Sequence, residues 1–160
     1  MAHGSTSGVW ATITSSSGGF FPLGWTSRKQ SAVSHSTPEA EIVSADLAVH
    51  SFMIPLISVF KGFNTKFESK KLFEDNETAE GCLQSGTSKS MQLLPRTHAV
   101  NLMATKEAIE REGIRVCRAT SEEQVADILT KAYSSPIKWL AARRHLGLKS
   151  ASTISWLGQK

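Results

Sequence analysis

The run SSSGG, residues 15 to 19, separates two stretches that alternate apolar and polar residues, and it narrows the possible folds more than any other feature. GVWATIT (8 to 14) carries β-branched and aromatic residues in strand alternation. FFPLGWTS (20 to 27) follows the turn as a second strand, so the chain should open with a β-hairpin. Pro22 has no backbone N–H, which places the second strand at a sheet edge or at an irregularity. Trp10 and Trp25 then read as hairpin packing.

From Thr37 the period changes. Ser36 or Thr37 can cap a helix, Pro38 suits its first position, and Glu39 and Glu41 favour its positive end. Ile42, Ala45, Val49, Phe52 and Met53 recur at helical spacing until Pro55, which should kink or end the helix before a short continuation to Phe60. KLFED (71 to 75) is a short strand ending on two acids, followed by a short helix from Glu77 to Gln84. A helix is expected from about Thr97 to Glu112, stopped by Gly113, and then a strand over 114 to 119. Thr120 or Ser121 should cap a helix through TSEEQVADILTKA, and a last helix should cover Ile137 to about Leu146. The order β-β-α-β-α-α-β-α-α implies an α/β domain with a mixed sheet flanked by helices.

Composition bounds the rest. The 160 residues make one domain's worth of chain, with 40% hydrophobic and 20% charged residues. The N-terminus MAHGSTSGVW lacks the pattern of a secretory signal. No apolar run approaches the roughly 18 residues of a bilayer span, so no membrane partner is expected. Cys82 and Cys117 have neither metal-ligand spacing nor a disulfide framework, which suits an intracellular protein with reduced thiols. All 14 Asp and Glu lie between Glu39 and Asp127, where ten Lys and Arg leave a balance of −4. After Asp127 come six basic residues and no acid. A basic end beside an acidic centre suits a nucleic-acid protein with a metal site, and it equally suits a solvated helix face.

Three acids ask for explanation. Glu41 shares a helical stripe with Ala45, while Glu39, two residues away, should face solvent. Asp75 ends a strand, where open α/β sheets keep their sites. Asp127 lies between Ala126 and Ile128, off the face of Glu122 and Glu123. A buried acid is costly unless paired or metal-bound, and converging carboxylates suit Mg²⁺, which takes oxygen ligands. His98 opens a helix after Arg96, where it can cap the helix or contact a phosphate, and a structural role is the first expectation. No Ser-His-Asp arrangement, glycine-rich phosphate loop or cysteine-rich metal site is present.

The segments STSG, GWTSRKQSAVSHSTPEAEIVSADLA, LFEDNETA, PRTHAVNL and EEQVADILTKA occur in an order that resembles the ribonuclease H domain closing copia-type retrotransposon polyproteins. The resemblance runs from Ser5 to Leu148 and leaves residues 149 to 160 as a tail expected to be disordered. It implies a five-stranded mixed sheet flanked by helices and four carboxylates holding two Mg²⁺ ions. Glu41, Asp75 and Asp127 match three of the four. The implied activity is Mg²⁺-dependent cleavage of the RNA strand of an RNA–DNA hybrid, with a reverse transcriptase domain upstream as partner and no small-molecule substrate. The implied location is the cytoplasm, a virus-like particle or the nucleus. Lys131, Lys138, Arg143, Arg144 and Arg96 are the expected phosphate contacts.

The chain departs from the family in ways that matter. The fourth carboxylate belongs to the family's first strand, which is also the centre of its sheet, and no Asp or Glu precedes Glu39. Activity should therefore be impaired, and the hairpin must pair elsewhere or leave backbone groups unpaired. Pro38 stands for the usual threonine, RTHAV shifts a histidine by one place, and no general-base histidine lies between Arg118 and Gln124. The alternatives are a non-catalytic nucleic-acid-binding remnant, or a decayed product that scarcely folds and melts without cooperativity.

Overall fold

A computed structural model describes residues 4–120 and 123–147; the tail over residues 149 to 160 lies outside them. Strands β1 (Thr6–Thr14) and β2 (Phe20–Lys29) form the expected hairpin, antiparallel, with Trp10 opposite Trp25. Pro22 does cause an irregularity: Ala11 pairs with Gly24 but Thr12 pairs with Pro22, so Leu23 is bulged out of register.

The chain then forms one unbroken helical rod. Helix α1 (Thr37–Ala48) passes through a π-helical turn, Val49–Met53, into α2 (Ile54–Gly62). Pro55 does not stop it, because the wider π turn accommodates the missing N–H and the ring. The uninterrupted 26 residues, Thr37–Gly62, are long and apolar enough by length and composition to cross a membrane. That corrects the expectation that no segment reaches such a length. The core helix of a globular domain satisfies the same criterion, and α1 packs against β1 and two further helices, α3 (Glu77–Ser85) and α5 (Leu102–Glu112).

Strands β3 (Lys70–Glu74) and β4 (Ile114–Arg118) pair in parallel, Leu72 opposite Val116, and the helices between them form the crossover. Asn76 caps α3 by accepting from the Ala79 N–H at 3.0 Å, and Gly86 ends it at φ 74°. The helix expected over 97 to 112 is two pieces. A single turn, α4 (Leu94–Thr97), is followed by Ala99 at φ 56° and by Asn101, which caps α5 through the Ala104 N–H. Asn101 supplies a better start than continuation would, and the break lets Val100 be buried.

The helix expected from Thr120 is also corrected. The Glu123 carboxylate accepts from both the N–H and the hydroxyl of Thr120, but among the described residues only a 3₁₀ turn, Val125–Leu129, follows. Tertiary contact overrides the local preference here, because this segment packs directly on β1 at Gly8. Helix α6 (Pro136–His145) closes the described chain.

The class is therefore α/β, but the strands do not make one mixed sheet. Among the described residues β1 pairs only with β2 and β3 only with β4, giving two two-stranded sheets. The core between the rod and these elements centres on Ile42, Val49, Leu83 and Leu94, all nearly inaccessible.

Candidate active site

Three carboxylates meet beside a groove that borders both sheets, and two of them, Glu41 and Glu74, line it. Oxygens of Glu41, Glu74 and Asp75 lie within 4.8 Å of one another. The stripe shared with buried Ala45 turns Glu41 toward the groove. Glu74 is the last residue of β3 and is buried, on the same face as Leu72. Asp75 follows directly, and the Asn76 N–H donates to Glu74 Oε1 at 3.0 Å.

The sequence reading named Glu41 and Asp75 but missed Glu74. The signal was there: Glu74 stands two residues after Leu72, so strand alternation sends it to the core face.

Asp127 lines the same groove, close enough for its charge to act on Glu41. Its own carboxylate is held by Lys131, Nζ to Oδ2 at 2.6 Å, one helical turn on. The 3₁₀ turn brings Asp127 here because Gly8 allows close approach. A Cβ at Gly8 would lie 2.5 Å from Thr130 Cγ2 and 2.9 Å from the Ala126 carbonyl oxygen.

These positions shift the protonation equilibria. Burial pushes the Glu74 carboxyl up to about 7; the Asn76 N–H opposes this, and the charges of Glu41 and Asp75 add to it. Burial likewise raises Glu41, helped by Asp75 and Asp127 and opposed by Lys131. For Lys131, burial alone would lower the ammonium, but the hydrogen bond and charge of Asp127, with Asp75 and Glu41, outweigh it and hold it above its ordinary value. The donor set is all oxygen and self-repelling, which is the chemistry a hard divalent cation relieves.

Glu39 reverses its expected role. It is buried rather than solvent-facing, accepts from the His35 N–H at 2.7 Å, and lies 3.3 Å from His98 Nε2. His98 is structural, as expected, and its side chain is 1% exposed.

The basic residues divide. Lys131 belongs to the acidic group, whereas Lys138 and Arg144 lie exposed and Arg143 half-buried on α6. Arg96 is exposed on α4. Comparison with family models, with curated proteins and with solved structures finds no match for this chain.

Proposed function

We propose that the chain is a ribonuclease H-type domain of copia-type retrotransposon origin, acting on the RNA strand of RNA–DNA hybrids with a divalent cation, Mg²⁺, at Glu41, Glu74 and Asp75. The observation that carries this reading is the meeting of Glu41, from a helix, with Asp75, at a strand end, beside Asp127. Those are the three carboxylates that the sequence resemblance named, and they stand 86 positions apart from first to last.

Bound there, the cation would neutralise the carboxylates and polarise a phosphodiester for attack by water. The chain's own residues do the rest. Glu41 and Glu74 line the groove, and an oxygen of Asp75 lies beside theirs. Glu74, raised to about 7 by burial, would give up its proton as the cation binds. Lys131 fixes the Asp127 carboxylate. Lys138, Arg143 and Arg144 would meet the nucleic-acid backbone, and Arg96 would add a further phosphate contact. With Asp127 held by lysine the site should be weaker than one in which that carboxylate also meets the cation, so turnover should be low. An upstream reverse transcriptase domain and an intracellular setting belong to the same proposal.

Two measurements test it. Calorimetry should detect Mg²⁺ binding that is lost in Asp75→Asn and in Glu41→Gln. Mg²⁺-dependent cutting of a labelled RNA–DNA hybrid should disappear in the same variants. Full cutting by Asp75→Asn would overturn the proposal.

One observation favours a second reading, a non-catalytic nucleic-acid binder. The Lys131 ammonium already supplies a positive charge at the carboxylate group. That reading predicts hybrid binding that weakens steeply with salt and ignores Asp75→Asn.

A further inference from the structure

All 14 acidic residues lie between Glu39 and Asp127, so the hairpin and α6 carry none. The fold brings these two acid-free segments together. Strand alternation puts Gly8, Trp10 and Thr14 on one face of β1, and their ladder partners Ser27, Trp25 and Phe20 share it. At one end of that face the Ser27 hydroxyl donates to the Leu129 carbonyl, and Gly8 lies against Thr130. At the other end Phe20 lies against Gly147, where a Cβ would come within 2.6 Å of its Cζ. The chain from Leu129 through α6 therefore touches the face at both ends, and the Trp10–Trp25 pair sits between them.

The two indoles touch, with ring centroids 6.0 Å apart and 30° between their planes, yet Trp25 stays 63% exposed. Mutual packing therefore covers only part of the Trp25 ring. Among the described residues the largely exposed aromatic side chains are Phe63 and Phe73 elsewhere, and Phe20, Phe21, Trp25 and Trp139 on the acid-free segments. Open rings gathered in this way mark a contact surface. Positive charge accompanies them. Lys29, on the same face of β2 as Trp25, and Lys138 and Arg144 on α6 are all exposed. Unlike Lys131, none of the three pairs with a carboxylate among the described residues.

We propose that this face of the hairpin is a platform for single-stranded nucleic acid, on which an unpaired base stacks against Trp25 while neighbouring phosphates meet Lys29, Lys138 and Arg144. Charge selects the class of partner, because a basic surface free of carboxylates attracts a polyanion. The open indole selects its form. In a duplex the base faces are covered by their neighbours, whereas an unpaired strand offers them to an aromatic side chain. An acidic peptide would satisfy the charges and leave the ring without a planar partner. Every base has a π-face, so the platform should tolerate any sequence. The inference goes beyond both readings above, neither of which assigns a contact to a base, and it does not depend on a metal at the acidic group.

The probe is an oligodeoxythymidine of about 12 nucleotides, a length within the span of known single-strand sites. Titrated into the full chain at low salt, it should quench tryptophan fluorescence. Log affinity should fall against log salt with a slope of about −2, as about three phosphate contacts require. Trp25→Leu keeps an apolar partner for Trp10 but removes the stacking surface, and should weaken binding by about tenfold or more. Trp25→Phe restores a ring and should recover most of the affinity. Binding should persist in excess chelator, which separates this result from the fate of the metal site. Four outcomes overturn the proposal. They are no quenching, parent-like binding by Trp25→Leu, equal competition by a blunt duplex of the same length, and equal competition by polyglutamate of the same charge. Fluorescence that changes when the chain alone is diluted would give the face to a second copy, and would overturn it as well.

Discussion

His98 Nε2 lies 3.3 Å from Glu39 Oε1, with both side chains almost wholly enclosed, so the first turn of α1 is tied to the loop between α4 and α5. The pair joins segments 59 positions apart, and it turns Glu39 inward on the same helix turn that sends Glu41 to the groove. Ser34 Oγ lies 3.4 Å from the same His98 nitrogen, and the Ser36 hydroxyl caps the Glu39 N–H.

Breaking this pair should cost stability without touching the acidic group. His98→Ala leaves the buried Glu39 carboxylate with the His35 N–H but without the imidazole, at about 1 to 3 kcal/mol. Urea unfolding should show that loss, while Mg²⁺ affinity per folded molecule stays as in the parent chain. An unchanged midpoint would mean that the pair holds nothing together.

Glu74 makes stability depend on pH. Its folded value near 7 lies above its ordinary value of 4.5, so the folded state binds the proton more tightly than the unfolded chain does. The resulting stabilisation is fully present below about pH 4.5 and is lost as pH rises through 7. Glu74→Gln should flatten that slope and make the metal-free protein more stable at pH 8, by an amount on the order of a few kcal/mol. Thermal melts at pH 5 and pH 8, each with and without Mg²⁺, provide the check. Mg²⁺ should restore part of the loss in the parent chain and little in the variant.

Gly8→Ala tests whether close approach positions Asp127. The added methyl group meets Thr130 and the Ala126 carbonyl. The 3₁₀ turn must retreat, at about 1 to 3 kcal/mol. Any hybrid cutting should fall further than stability explains, because Asp127 moves with the turn. Equal activity per folded molecule would show that Asp127 does not need this placement.

Lys131→Met should separate the two functional readings. Without the ammonium, Asp127 becomes available to the carboxylate group, so Mg²⁺ binding should tighten several-fold by calorimetry. If the chain is instead a passive nucleic-acid binder, the variant loses salt-sensitive affinity for the hybrid and gains no Mg²⁺ affinity.

Removing a helix cap gives a simple calibration. Asn101→Ala deletes the acceptor for the Ala104 N–H and should cost about 1 kcal/mol in unfolding free energy. Since this cap also decides where α5 begins, circular dichroism should show little loss of helix.

Much of the architecture was legible in the chain because it is local. The hairpin follows from alternation around SSSGG, the irregularity from Pro22, the cap of α1 from Ser36, and the stop of α5 from Gly113. Each depends on residues within a turn or two of one another. Pro55 misled for the same reason: a local rule predicts a break, but a π turn absorbs the proline. Local strength likewise failed to make a helix after Thr120, where packing against Gly8 favours a tight turn.

What the sequence determined by itself was the α/β class and the order of the four strands, since period and turn residues encode them directly; Glu41 and Asp75 it offered only as candidates. Tertiary structure alone decided three things. It turned Glu39 inward, because His98 arrives from a distant loop to compensate its burial. It added Glu74 to the acidic group, because only proximity to Glu41 and Asp75 makes that buried carboxyl a neighbour of theirs. It also kept the two sheets apart, because strand pairing depends on which edges meet in space, and no local rule specifies that.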